Sequence, residues 1–324
     1  MEKLIVDAAV ERWPLTNAFV ISRGAKTEAE VVVARVSDGT YAGRGESVPY
    51  PRYGQTPAAT LEAIEKAHIS GDRRKLLTEL PADAARNALD CALWDLDAKR
   101  SGRPAHAIAG FDTLKSVLTC FTISLDTPDA MAKAARAAAH LPLLKLKLGK
   151  PDDAARMRAV RHARPDARLV ADANEGWHPN DLTDLLAVAA ETGIELIEQP
   201  LPAGKDDALA EIPHTVAICA DESAHTSNGL AELRNRYDAV NIKLDKTGGL
   251  TEALIMARAA KDLGFKIMAG CMVSTSLAMA PAMILAQLAD WTDLDGPLLL
   301  ARDRDYPLHI VNGWISPPDP RLWG

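Results

Sequence analysis

The chain is poor in several features that would each define a class of protein. Only four of its 324 residues are cysteines, and they lie far apart inside apolar segments: Cys91, Cys120, Cys219 and Cys271. This spacing argues against a disulfide framework or a zinc cluster and is typical of reduced, buried thiols. No apolar run reaches membrane-spanning length, and acids within the first dozen residues argue against a signal peptide. We therefore expect a cytoplasmic protein.

Excess positive charge and nucleotide-binding motifs are also missing. Lysine and arginine total 37 against 44 aspartates and glutamates, which gives a net charge of −7. This balance argues against nucleic acid or an anionic membrane as the main partner. There is no phosphate loop, no dinucleotide fingerprint and no zinc-ligand spacing, and the eight histidines are scattered without a paired arrangement.

The first third of the chain reads as a separate α+β capping domain, residues 1–114. Four β-like segments fill residues 2–47, and the SDGT sequence near position 40 predicts a hairpin between the third and fourth. Two helices are expected next, one beginning at Pro57 and one covering PADAARNALDCALWDLDAKRSG, which Gly102 ends. Strands followed by helices favour an α+β arrangement.

From about residue 115 the chain alternates strands and helices. The strands are predicted at 117–123, 143–148, 168–172, 194–198, 216–220, 239–243, 265–270 and 288–292, with Ala-rich helices between them. Continuous apolar strands in this order favour a closed parallel barrel over residues 115–300. The segment after the eighth strand lacks helical periodicity, so we expect a modified (β/α)7β TIM barrel, with residues 301–324 returning to the cap. An open doubly wound sheet is the competing fold, but it would concentrate chemistry at one switch point.

Charged residues end successive strands of this barrel. They are, in order, Lys145 and Lys147 in LLKLKLGK, Asp172 in RLVADAN, Glu198 in IELIEQP, Asp221 in VAICADES and Lys243 in VNIKLDKTGG. From Asp172 onward the steps are 26, 23 and 22 residues (172 to 198, 198 to 221, 221 to 243), about the length of one strand, one helix and two loops. Because barrel active sites lie at the carboxyl ends of the strands, we expect these side chains to converge.

The three acids, Asp172, Glu198 and Asp221, lie on neighbouring strands and so predict a metal site. A ligand set of carboxylates without histidine or cysteine selects a hard ion, Mg²⁺ first and Mn²⁺ second. Asn174 and Glu222 lie just beyond them and could form a second layer. A single such acid often caps the following helix instead, but three in register indicate a common site.

Lys147 and Lys243 end the second and sixth strands, so they face each other across the barrel mouth. A lysine is a poor base at neutral pH, and we expect Lys145 and the metal to lower the pKa of these amines. The arrangement suits removal of a proton beside a carboxylate, through an enediolate whose charge the metal stabilises, and its return from the opposite face.

In this order the motifs KLK, DAN, EQP, ADES and NIKLDKTGG resemble the enolase superfamily, in its muconate-lactonising branch. The likeness covers the whole chain, and GRGESVPYPRYG and AARNALDCALWDL resemble the bacterial L-Ala-D/L-Glu (dipeptide) epimerases. The resemblance implies that Lys147 and Lys243 are the acid/base catalysts and that Asp172, Glu198 and Asp221 are Mg²⁺ ligands. It also implies a small dipeptide substrate from cell-wall turnover and leaves a homo-oligomer open.

Four further residues are candidates for binding the substrate. Asp293 and Asp295 alternate at the end of the eighth strand, so both point to one side and suit an ammonium group. The resemblance implies that they hold the free amine of the dipeptide and that Arg23, in a loop, meets the glutamyl side-chain carboxylate. Thr122 ends the first strand, where it is either a hydrogen-bonding group or ordinary strand filling.

Other functions are compatible with parts of this pattern. A Schiff-base aldolase could use Lys147 or Lys243, but it would leave the three acids unexplained. A non-catalytic dipeptide-binding protein on the same barrel would be expected to lack one base or ligand, and all are present. Within the superfamily, N-acylamino-acid racemase, o-succinylbenzoate synthase and muconate cycloisomerase share the metal and the lysines, and the Asp293/Asp295 pair argues against them.

Overall fold

The computed structural model describes residues 4–149 and 151–324, and its amino-terminal part is an antiparallel sheet covered by helices. The strands are β1 (Ile5–Ile21), β2 (Gly24–Ser37) and β3 (Ala42–Ser47), in the order β1-β2-β3. The first two predicted β-like segments form one long strand, β1. Its pairing with β2 is irregular between Pro14 and Phe19, but the strand continues. The predicted hairpin between β2 and β3 is confirmed.

Four helices follow this sheet: α1 (Pro57–Lys66), α2 (Arg73–Glu79), α3 (Ala84–Ser101) and α4 (Ala105–Ile108). The longest, α3, begins at Asp83, whose side chain accepts a hydrogen bond from Arg86 N, and ends at Gly102 in the left-handed conformation. Its apolar stripe packs on β2 in the core of the cap. The sequence predicted α1 and α3 but missed the seven-residue α2 and the four-residue α4.

The second part is a sheet of eight parallel strands. After the short β4 (Val117–Leu118), the strands are β5 (Phe121–Ile123), β6 (Leu143–Lys147), β7 (Arg168–Asp172), β8 (Ile194–Glu198), β9 (Ala217–Ala220), β10 (Ala239–Lys243), β11 (Lys266–Gly270) and β12 (Trp291–Asp293). The two edge strands meet, since Thr119 forms a parallel bridge with Thr292 and Cys120 N donates to Thr292 O at 2.8 Å. The predicted (β/α)7β barrel with its amino-terminal cap is confirmed.

The helices of this part are α5 (Pro128–Ala137), α6 (Asp153–Ala163), α7 (Leu182–Glu191), α8 (Leu230–Leu233), α9 (Leu244–Thr247), α10 (Leu250–Asp262), α11 (Ser276–Ala286) and α12 (Gly296–Leu299). Among the described residues, only the four-residue α12 follows the eighth strand, as expected for a barrel without its last helix. None of the helices in the described residues is long and apolar enough to cross a membrane.

The tail contacts both parts of the molecule. Its hairpin of β13 (Ile310–Val311) and β14 (Trp314–Ile315) pairs with β4 at the start of the barrel. The last residues then reach the cap, where Trp323 Nε1 donates to Cys91 O at 3.0 Å and Gly324 N donates to Asp95 at 2.8 Å.

Candidate active site

Strand register brings the charged side chains to one level of the barrel. Lys147 on β6 is the pairing partner of Asp172 on β7, and Asp172 is the partner of Glu198 on β8. On the other side, Lys243 on β10 pairs with Gly270, and Gly270 pairs with Asp293 on β12. Below this level the barrel interior is apolar, so the polar groups gather at the carboxyl ends of the strands.

Lys145 lies at the centre of the acidic groups. Its Nζ is 2.5 Å from Glu198 Oε2, 2.6 Å from Asp293 Oδ2 and 3.5 Å from Asp172 Oδ2. Lys147 donates to Asp172 Oδ2 at 2.6 Å. Both amines are almost fully buried, so their charges are compensated by these carboxylates and not by water.

Asp221 is held from two sides. Lys243 Nζ lies 2.6 Å from its Oδ2, and Lys246 Nζ lies 2.6 Å from its Oδ1. Lys246 also donates to the backbone oxygens of Asp221 and Asn241, at 2.5 and 2.9 Å. The carboxylate therefore has little freedom to turn.

The same division of oxygens recurs at the other two acids. Asp172 Oδ1 accepts from Asn174 N at 2.8 Å, and Glu198 Oε1 accepts from Asn241 Nδ2 at 2.6 Å. In each of the three carboxylates one oxygen is bound by a donor that is not a predicted base, and the other faces Lys145, Lys147 or Lys243. Gly270 makes room for the Asn241 side chain, since a Cβ at position 270 would lie 2.3 Å from Asn241 Oδ1.

These pairings shift the pKa values of the acids in different directions. Burial raises the pKa of Asp172, but the Lys147, Lys145 and Lys243 amines together outweigh it, and the result is about 2. Burial likewise opposes ionisation of Asp221, yet the Lys243 and Lys246 amines together lower its pKa well below the ordinary value. The pKa of Glu198 is raised, first by burial and then by the charge of Asp172.

The pKa values of two buried amines, Lys145 and Lys243, are raised. Burial lowers the pKa of Lys145, but Asp293 and the other carboxylates raise it well above the ordinary value. For Lys243 burial also lowers the pKa, but Asp221 and Glu198 together raise it well above the ordinary value. From the sequence we expected Lys145 and a metal to lower the pKa of the bases; at Lys243 the pairing with carboxylates dominates instead.

The acids suit a hard divalent cation in chemistry, and the lysines occupy the space between them. Among the described residues, no three or more acidic, histidine or cysteine side chains are already arranged to hold a metal ion. Asp172, Glu198 and Asp221 nevertheless offer buried oxygen ligands only, and Glu198 Oε2 faces the Lys145 amine at 2.5 Å. The residues fit Mg²⁺ in type, provided that the amines yield their positions.

A cavity of about 480 Å³ lies above these groups, between the cap and the barrel. Lys147, Asp221 and Lys243 line it from the barrel, and Arg23 lines it from the turn between β1 and β2. The two lysines come from strands that lie four positions apart in the eight-stranded ring. A small molecule in this cavity therefore has an amine on each side.

Asp293 and Asp295 lie deeper than predicted. Within the described chain, the cavity lining includes neither of them but does include Cys271, whose pKa is raised by burial and by the charges of both aspartates. Asp295 Oδ2 accepts from the backbone N of Thr122 at 2.7 Å, so Thr122 contributes its backbone at this point. Asp293 Oδ1 is buried and accepts no hydrogen bond from any described residue. Burial and the charge of Asp293 raise the pKa of Asp295 to about 6.

Arg23 is fixed at the cavity rim by several partners. Its guanidinium lies 2.7 Å from Glu222 Oε1 and 3.1 Å from Glu175 Oε2, and it donates to Asn174 O at 3.0 Å. Burial and the charges of the neighbouring acids Asp221 and Asp172 raise the pKa of Glu222 to about 7. The predicted loop arginine thus faces the cavity as part of a network of charges.

Sequence reasoning missed three residues of this site. Lys246 follows Lys243 by three positions in the same motif, and Asn241 precedes it by two on the same strand face, a spacing that could have indicated both. Glu175, which binds Arg23 and also Arg52 at 2.9 Å, stands in a loop with no periodic signal.

Two families match the chain. Residues 4–110 match the mandelate racemase / muconate lactonizing enzyme N-terminal domain, and residues 129–321 match the enolase C-terminal domain-like family. An N-acetyl-D-glutamate racemase from Pseudoalteromonas sp is 45% identical over 300 residues, 91% of this chain and 95% of that protein. An L-Ala-D/L-Glu epimerase from Escherichia coli strain K12 is 44% identical over 309 residues, 94% and 96% of the two chains.

The chain is also similar to solved structures. An enolase family member from Agrobacterium tumefaciens with homology to dipeptide epimerases, holding sodium and L-Ala-L-Glu, has a TM-score of 0.96 at 51% identity, over 99% of this chain and 100% of its own. A dipeptide epimerase from Cytophaga hutchinsonii, complexed with Mg and D-Ala-L-Val, has a TM-score of 0.90 at 26% identity, over 97% and 92% of the two chains.

Proposed function

The chain belongs to the enolase superfamily, and we propose that it is an isomerase that inverts the α-carbon of the glutamyl residue in L-Ala-Glu dipeptides. The observation that carries the proposal is the pair Lys147 and Lys243, which line one cavity from opposite sides of the barrel. A relative at 44% identity is an L-Ala-D/L-Glu epimerase, which supports the choice of substrate.

In the proposed mechanism one lysine removes the α-proton and the other returns a proton to the opposite face. The α-carbon must lie between the two amines, and removal leaves an enediolate on the substrate carboxylate. A divalent cation, Mg²⁺ by preference, bound by Asp172, Glu198 and Asp221 would stabilise that negative charge. Lys145, buried among the acids, contributes a fixed positive charge at the same place.

The substrate is proposed to lie with its free amine toward Asp293 and Asp295 and its side-chain carboxylate toward Arg23. Asp293 Oδ1 is buried without a hydrogen-bond donor among the described residues, so an ammonium group that reaches past the Cys271 wall of the cavity would satisfy it. Arg23 lines the cavity and presents the donor geometry that suits a carboxylate. In a bacterium this activity would convert the D-glutamyl dipeptide of cell-wall turnover into one that ordinary peptidases cleave.

A second candidate is racemisation of N-acetylglutamate, because a relative at 45% identity is an N-acetyl-D-glutamate racemase. Its substrate has the same glutamyl carboxylates, so the lysines and Arg23 would serve both reactions. It carries no ammonium group, however, and would leave the Asp293 oxygen unsatisfied.

The test is epimerisation of L-Ala-L-Glu in deuterated water, followed by NMR. The wild-type protein with Mg²⁺ should form L-Ala-D-Glu with deuterium at the glutamyl α-carbon. Lys147→Ala and Lys243→Ala should each lower the rate of epimerisation by at least ~10²–10⁴-fold, since a positioned acid/base contributes that much. Lys266→Ala, an exposed lysine at the opposite end of β11, is the matched control and should retain the rate. Near-normal epimerisation in either active-site variant would rule out the two-base scheme.

A further inference from the structure

The segment 244–251, directly after Lys243, is bound to helix α3 of the cap. It comprises α9 and the start of α10, and hydrogen bonds connect it to residues more than 150 positions earlier in the chain. Lys243 is one of the two proposed bases. Because the segment follows it directly in the chain, the position of the segment affects the position of the Lys243 amine.

The first contact is made by Asp245, two residues after Lys243. A single oxygen, Asp245 Oδ1, accepts from Asn87 Nδ2 and from Val48 N, both at 2.8 Å. Asn87 and Asp245 are 1% and 6% exposed, so water does not replace these bonds. The cap therefore fixes the first turn after the lysine strand.

The end of α9 is held by a buried arginine of α3. Arg86 donates to Thr247 O at 2.6 Å and to Gly248 O at 3.0 Å, which satisfies carbonyls at the end of the short helix. Gly248 has a φ of 67°, and a Cβ there would lie 2.5 Å from Arg86 Nε. Glycine thus permits the close approach of the two parts.

The third contact is made at the start of α10. Asp90 accepts from Thr251 N at 2.9 Å and from Thr251 Oγ1 at 2.6 Å, and Trp94 Nε1 donates to the same hydroxyl at 2.9 Å. Successive turns of α3 therefore bind successive residues of the segment.

The opposite side of the segment faces the site. Lys246 binds Asp221 Oδ1 at 2.6 Å while Lys243 binds Asp221 Oδ2 at 2.6 Å. Both lysines flank the residue that the cap holds, Asp245. A shift of the segment would therefore move the Lys243 amine, whereas Lys147 is carried by β6 and contacts Asp172.

We infer that helix α3 of the cap positions the base Lys243, through the Asn87–Asp245 contact, and that Asn87 and Asp245 are positioning residues for one of the two proton transfers. The inference rests on the proposed two-base function. It predicts an asymmetric defect: loss of the contact impairs the epimer that Lys243 serves and spares the one that Lys147 serves.

The experiment measures α-proton exchange of L-Ala-L-Glu and of L-Ala-D-Glu separately in deuterated water. The Lys243→Ala variant first identifies the epimer that depends on Lys243. Asp245→Ala should then lower exchange of that epimer by about 10- to 100-fold, as a displacement of about 1 Å can do, and leave exchange of the other within about threefold. Asp245→Asn keeps an oxygen at the position that accepts both hydrogen bonds, and it should restore the ratio.

The matched control is Asp95→Ala on the same helix. Asp95 is also a fully buried carboxylate, and it accepts from Arg44 N and Gly324 N, both at 2.8 Å, away from the segment 244–251. It should lower the melting temperature without changing the ratio between the two epimers. If Asp245→Ala does not fold, Asn87→Ala, which removes only one of the two donors, takes its place.

Equal loss for both epimers, or an unchanged ratio in a variant with a lowered melting temperature, overturns the inference. A wild-type protein that exchanges neither epimer refutes the proposed function instead, so the two failures are distinguishable.

Discussion

Acetylation of the substrate amine tests the proposed orientation of the dipeptide most directly. In that orientation the ammonium group lies beside Asp293 and Asp295, at the end of the cavity marked by Cys271. N-acetyl-L-Ala-L-Glu has the same glutamyl residue but no positive charge there. We expect it to be epimerised more slowly than L-Ala-L-Glu.

The magnitude follows from the buried oxygen of Asp293. A hydrogen bond to a charged group contributes about 1.5–3 kcal/mol, and the acetylated compound leaves that oxygen without a donor. At about 1.4 kcal/mol per factor of ten, kcat/KM should fall by about 10- to 150-fold. N-methyl-L-Ala-L-Glu, which is bulkier but keeps its charge, should lose much less and serves as the control for size.

Asp295→Asn is the matched variant for this measurement. Its amide oxygen can still accept from Thr122 N, so the strand contact is retained while the charge is lost. The variant should lower kcat/KM for the free dipeptide and leave that for the acetylated compound nearly unchanged. The preference should also shrink as the pH falls through about 6, the pKa to which burial and Asp293 raise Asp295, because the protonated acid no longer attracts the ammonium group.

One result would refute this reasoning. If the acetylated compound were turned over as well as the free dipeptide or better, the dipeptide assignment would be wrong and N-acylamino-acid racemisation would replace it. The relative at 45% identity makes that a concrete alternative.

Three further predictions concern the metal, the substrate side chain and stability. Glu198→Gln keeps the size of the side chain but removes a ligand charge, so calorimetry should show weakened Mg²⁺ binding; full epimerisation by chelated, metal-free wild-type protein would contradict the metal requirement. Arg23→Met should lower kcat/KM for L-Ala-L-Glu about 10- to 150-fold more than for L-Ala-L-Leu, and an equal loss would exclude recognition of the carboxylate. Burial raises the pKa of Asp90 from 3.8 to about 6, so protonation of Asp90 stabilises the folded state. This stabilisation is complete below pH 3.8 and is lost by the time the pH has risen above about 6. Relative to Asp90→Asn, the free energy of unfolding of the wild type should therefore fall by up to about 3 kcal/mol as the pH rises from about 4 to 8, and a constant difference between them would disprove this.

The barrel was predictable because its strands are continuous apolar runs that end in charged residues. Six of the eight predicted strand ends agree with the structure to the residue, at Ile123, Asp172, Glu198, Ala220, Lys243 and Gly270, and the other two differ by one residue. A parallel sheet places such ends at one level, so spacing along the chain was enough to indicate that the side chains meet.

The pairing within the site was not predictable. Spacing placed the three acids together, but it could not show that a lysine amine lies against each of them. The predicted lowering of the pKa of Lys243 was therefore wrong. The shift depends on which charged groups lie nearest to the amine and not on which residues share a strand.

The cap contacts were also beyond sequence reasoning. α3 was predicted from its periodicity, yet Arg86, Asn87 and Asp90 stand among its apolar positions as polar residues. Each has a partner in the segment 244–251, and only the folded chain brings the two together. Buried polar groups of this kind need hydrogen-bond partners, and here those partners are distant in the chain.

The hydrogen bonds of the three acids affect how a cation could replace a lysine amine beside them. A carboxylate bound at one oxygen by a fixed donor, as Glu198 is by Asn241 and Asp221 is by Lys246, keeps its orientation when the partner at its other oxygen leaves. A lysine could then give way to a cation without reorganisation of the acid, and reorganisation that is avoided does not add to the barrier. The same donors also limit each acid to one direction of approach, which is that of Lys147 for Asp172, of Lys145 for Glu198 and of Lys243 for Asp221.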